Sequence, residues 1–94
     1  MYFAEACSKS DEYTEANAKG WRPLLLCRVA CGMINYNAEV GPDVNKLVKS
    51  CTEGTYHCVL GDREKCRGTF REFIVYDNDQ AYPEYIIWYS RYFN

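Results

Sequence analysis

Long hydrophobic runs are missing from this 94-residue chain: its longest apolar stretch, Leu24-Leu25-Leu26-Cys27, is cut by Arg28. A membrane-spanning helix needs about 20 such residues, so the sequence predicts a soluble chain with no membrane partner. The first residues, Met1-Tyr2-Phe3-Ala4-Glu5, lack the basic and apolar segments of a secretory signal. An intracellular protein, nuclear or cytoplasmic, is therefore expected. Runs of like charge are also absent. The 13 acidic and 11 basic residues are interspersed and leave a net charge of -2, which excludes a charged disordered tail and gives nucleic acid nothing to attract. No direct nucleic-acid binding is expected. There is no Cys-x-x-Cys pair, and Cys51, His57 and Cys58 have no second pair at zinc spacing; no metal is expected. No repeat or low-complexity tract divides the chain.

Cysteine, by contrast, is plentiful. Cys7, Cys27, Cys31, Cys51, Cys58 and Cys66 form an even set, which in a secreted chain would suggest a disulfide framework. Titration showing six free thiols would exclude that alternative. Without a signal they read as reduced thiols packed as small apolar residues. A chain this short makes at most one small domain, burying roughly 60–65% of its unfolded surface.

The chain consists of short elements punctuated by turn residues. Ser8 to Asn17 predicts a helix, with Ser8 and Asp11 in a capping-box pattern and Gly20 beyond its end. Leu24 to Cys31 predicts a strand, because Leu25, Cys27, Val29 and Cys31 alternate onto one face. Pro42 opens an amphipathic helix with Val44, Leu47, Val48 and Cys51 at i, i+3, i+4 and i+7. Tyr56 to Leu60 predicts a short strand, and Gly61 to Gly68 an exposed charged loop. Thr69 to Tyr76 and Tyr82 to Tyr92, separated by Asp77-Asn78-Asp79-Gln80, predict strand, turn and strand. Two short helices and four or five strands give an α+β fold with a largely antiparallel sheet.

Within Thr69 to Tyr76, alternation puts Phe70, Glu72, Ile74 and Tyr76 on one face. Glu72 thus stands among large apolar side chains, where a carboxylate is costly unless it is paired or faces a wet cleft. One reading pairs it with Arg28 or Arg71. The other makes it a cleft carboxylate used for electrostatic or acid-base work.

Five segments bear on that choice: Tyr2-Phe3-Ala4-Glu5, Ser8-Lys9-Ser10-Asp11-Glu12-Tyr13, Leu24 to Gly32, Tyr56-His57-Cys58-Val59, and Arg71-Glu72-Phe73-Ile74-Val75-Tyr76-Asp77. In this order they resemble catalytic domains of the poly(ADP-ribose) polymerase family. The resemblance implies a partial ADP-ribosyltransferase fold, with residues 1–94 as the C-terminal part of the catalytic domain and the N-terminal part missing. It implies an NAD-dependent ADP-ribosyltransferase that passes ADP-ribose to a protein acceptor and releases nicotinamide, NAD being a consumed substrate. Tyr2 would be the tyrosine of the family's His-Tyr-Glu triad and Glu72 its glutamate. Ser10 would hydrogen-bond the nicotinamide carboxamide, and Tyr13 would stack on the ring. Independently, Ser10 and Tyr13 are spaced to present side chains to one ligand.

The only histidine, His57, follows the central strand, whereas the triad histidine precedes Tyr-Phe-Ala in the family; that position would fall before Met1. The 94 residues alone are expected to be inactive. The alternative is a catalytically inactive ADP-ribosyltransferase-like interaction module. No Gly-x-Gly-x-x-Gly loop of hydride-transferring enzymes occurs.

Overall fold

Alternating apolar residues and well-placed Asp and Gly punctuation fold the chain into six short strands and three short helices among the described residues. The computed structural model describes residues 1–91, without the side chains of Cys66 and Arg67. In chain order the elements are β1 (Tyr2–Ala4), α1 (Cys7–Asp11), β2 (Arg22–Val29), β3 (Ile34–Asn37), α2 (Val44–Thr52), β4 (Cys58–Asp62), α3 (Arg63–Arg67), β5 (Arg71–Val75) and β6 (Ala81–Tyr89).

Four strands form one sheet in the order β1-β5-β4-β3, and β2 with β6 forms a separate two-stranded ribbon. All pairings are antiparallel except β3 with β4. Parallel neighbours need a crossover, and α2 supplies it, lying against β4. The α+β, largely antiparallel architecture expected from the sequence is the one observed.

The predicted strand, turn and strand of the last third is not a hairpin. A short 3-10 turn at Asn78–Gln80 sends the chain from β5 in one sheet to β6 in the other. Periodicity finds strands but not their partners. The expected Tyr92 end of that run lies outside the described residues. β1 and β3 were not anticipated, being too short for an alternation signal.

Helix boundaries also differ. α1 covers only Cys7–Asp11, and its N-cap is Ala6 with no side-chain cap, so the Ser8–Asp11 capping box does not form. Asp43 caps α2 by accepting from the Lys46 N–H at 3.2 Å, but Val44 faces solvent rather than the sheet. The charged loop from Gly61 to Gly68 holds the end of β4 and α3. Asp62 caps that helix from the Lys65 N–H at 3.1 Å, and Gly68 ends it in the left-handed conformation.

Among the described residues the buried apolar set is small: Cys58, Val59 and Leu60 of β4 with Val75 of β5. Prolines at positions 23 and 83 are tolerated because both ribbon strands are edges. The two sheets meet where β2 leads into β3. There the Gln80 side-chain amide donates to the Ala30 carbonyl at 3.0 Å and to the His57 carbonyl at 2.8 Å.

Candidate functional site

The antiparallel register of β1 and β5 sets Tyr2 against Ile74 and Ala4 against Glu72, so Tyr2, Ala4, Glu72 and Ile74 share one face. Just beyond the last pair, Glu5 and Arg71 form a two-pronged ion pair, Nε to Oε1 at 2.6 Å and Nη2 to Oε2 at 2.8 Å. Hydrogen bonding from Arg71 holds the Glu5 carboxyl below its ordinary pKa. The clamp fixes the strand register, and with it the relation of Tyr2 to Glu72.

The chain then turns into α1, which carries Ser10. Tyr13 lies past its C-terminus, held by a turn in which its N–H donates to the Ser10 carbonyl at 3.1 Å. The sequence expectation of both residues on one helix is therefore corrected, although the turn preserves their proximity. Tyr2, Ser10, Tyr13 and Glu72 line a single cavity of about 520 Å³ together with Lys9, within the size range of small-molecule sites. A second cavity of about 460 Å³ shares the first three and extends along β2.

Tyr2 and Tyr13 are 72% and 78% exposed, as aromatic walls of an open cleft would be. Lys9 Nζ sits 6.0 Å from the Tyr13 ring centroid, at the outer limit of a cation–π contact. Glu72 is the sheltered member, its side chain 15% exposed, and it meets Arg63 Nε at 3.3 Å. The anticipated partners are engaged elsewhere: Arg71 with Glu5 and Arg28 with Glu84. Across β4 the residue opposite Glu72 is Gly61, where a Cβ would come within 3.4 Å of the Glu72 Cγ. The missing side chain leaves the carboxylate uncrowded.

A second set of residues anchors the α1 end of the cavity. Asp11 binds Arg91, Nη2 to Oδ2 at 2.7 Å, and accepts a hydrogen bond from the Tyr89 hydroxyl. Arg91 first, then Tyr89, lowers the Asp11 pKa. Arg22 Nη1 donates to the Thr14 carbonyl at 2.8 Å. Arg63, Arg22, Tyr89 and Arg91 were not identified from sequence. Only the fold brings these residues of α3, the ribbon and the segment after β6 toward the site, and no spacing rule would have found them.

His57 lines neither cavity; its Nδ1 accepts from the Met33 N–H at 2.9 Å at the sheet junction. Among the described residues no group of three or more His, Cys, Asp or Glu side chains could hold a metal, and no helix is long and apolar enough to cross a membrane.

Sheet and cleft define an α+β domain with an open cavity, aromatic along its walls and carrying a sheltered carboxylate. The family model of the poly(ADP-ribose) polymerase catalytic domain matches residues 1–91, and the chain belongs to that family. Membership implies ADP-ribosyltransferase activity in general, with NAD as substrate and proteins as acceptors.

Proposed function

We propose that this chain carries the catalytic carboxylate of an NAD-dependent ADP-ribosyltransferase, cleaving the bond between nicotinamide and ribose and passing ADP-ribose to a protein acceptor. The observation that carries the proposal is the convergence of Tyr2, Ser10, Tyr13 and Glu72 on one cavity. Tyr13 stacks on the nicotinamide, the Ser10 hydroxyl hydrogen-bonds its carboxamide, and Tyr2 packs beside the nicotinamide ribose. As the glycosidic bond breaks, positive charge develops on the ribose, and a nearby carboxylate stabilises it. Glu72 has that role and also orients the acceptor hydroxyl for attack.

We further propose that residues 1–94 act as the C-terminal part of a larger catalytic domain, inside the cell. The exposed Leu25, Leu26, Ile86, Ile87 and Trp88 on the ribbon support this, since a sheet so apolar is stable when covered. A second reading, an inactive interaction module, is favoured by one contact: Arg63 already occupies the Glu72 carboxylate. The complete domain separates the two. Nicotinamide release should fall roughly 10²–10³-fold in Glu72→Gln. Equal release by wild type and variant removes Glu72 from the mechanism, and no release by either supports the interaction module.

A further inference from the structure

The site accounts for none of the cysteines at the junction of the two sheets. Cys58 is the first residue of β4 and is wholly buried; Cys31 follows β2, is half-buried and lines the second cavity. The backbone brings their neighbours together from several directions. The His57 N–H donates to the Met33 carbonyl at 2.8 Å, and the Met33 N–H returns to His57 Nδ1 at 2.9 Å. The Gln80 amide ties the Ala30 and His57 carbonyls to one another. At the intervening Gly32 a Cβ would lie 2.6 Å from the His57 ring. Residues 30–33 are thus packed directly on His57, and Cys31 lies within that segment while Cys58 follows His57 in sequence.

We propose that Cys31 and Cys58 form a reversible disulfide modification site, oxidised by a peroxide and joining the ribbon to the four-stranded sheet. This inference does not depend on the catalytic proposal. The two thiols differ in their access to solvent. Cys31 is reachable through the cavity. Burial, followed by the charge and hydrogen bonding of Cys31, pushes the Cys58 thiol up to about 11, so it remains protonated and inert at neutral pH.

Chemically, the Cys31 thiolate attacks one oxygen of the peroxide. The O–O bond breaks, leaving Cys31 as a sulfenic acid and releasing hydroxide. Cys58 then loses its proton and attacks the Cys31 sulfur. The S–S bond forms, and the S–O bond breaks to release water. The two thiols give up two electrons, and hydrogen peroxide becomes two waters. Cys51 is the competing thiol, since its charge also bears on Cys58.

The test treats the full chain with hydrogen peroxide, blocks the remaining thiols and maps peptides without reduction. A peptide pair linking Cys31 to Cys58 is expected, separated by dithiothreitol, absent in Cys31→Ser and retained in Cys51→Ser. The link raises Tm by about 10 °C or more, because it closes a long loop. Its rate of closure after Cys31 oxidation rises about tenfold per pH unit near neutrality, since the buried Cys58 must ionise first. Cys58→Ala checks the same assignment by leaving Cys31 to oxidise onward to the sulfinic acid. A link from Cys58 to Cys51, or a Cys31 sulfinic acid beside an unmodified Cys58 in the wild type, overturns the proposal.

Discussion

Glu72 shows how far a single residue can be read from sequence. Strand alternation alone marks it as a carboxylate among apolar neighbours, and the structure places it in β5, sheltered at the cavity. Its ion-pair partner was not legible. Arg63 reaches it from α3, nine positions away and across a turn that no periodicity describes. Because both side chains keep partial solvent contact, Arg63→Ala is expected to lower stability by about 1 kcal/mol or less, measured by urea unfolding. Gly32 is a sharper case. Its φ of +58° lies in the left-handed region, and a Cβ would lie 2.6 Å from His57 Nδ1. The ring cannot swing away without losing the hydrogen bond from Met33. Gly32→Ala should therefore cost about 2–3 kcal/mol, combining backbone strain with the lost bond, read as a lower denaturant midpoint at unchanged m-value.

At the scale of elements, alternation located β2, β4, β5 and β6 but not the short β1 and β3, and it gave neither pairings nor caps. β2 and β6 are the two longest strands, but nothing in either says that they pair with each other rather than with β5. α1 begins one residue before its predicted span, without a side-chain cap, and stops at Asp11, well short of the predicted Asn17. Its position comes instead from Asp11, gripped by Arg91 and Tyr89. The lowered Asp11 pKa fixes the sign of a pH effect. Stability from this contact is fully present above the ordinary aspartate pKa, about 4, and is lost as pH falls through the lower folded value. Asp11→Asn should therefore flatten that acid limb of a plot of Tm against pH, while the wild type keeps it. The Glu5–Arg71 clamp titrates in the same direction. In the complete domain Glu5→Gln should raise the KM for NAD several-fold, because it loosens the register that sets Tyr2 against Glu72; an unchanged KM would count against that role.

Across the whole molecule, the shape is thin. The extents are 45 × 30 × 17 Å and the radius of gyration is 15.0 Å, against about 12 Å for a compact chain of this length. Apolar faces of the ribbon consequently stay in water, and the chain should bind an apolar dye strongly, with the signal falling in the larger catalytic domain proposed above. The strand order has a consequence for how the molecule is made. β1 pairs with β5 and β2 with β6, so the pairings interleave, and every antiparallel contact requires residues from the last third of the chain. On the ribosome, β1 and β2 must wait unpaired, their edges open, until residues 71–89 emerge. A stop introduced after Thr69 would strand both at once, leaving β3 with β4 as the sole ladder; such a product belongs to chaperones and proteases rather than to catalysis.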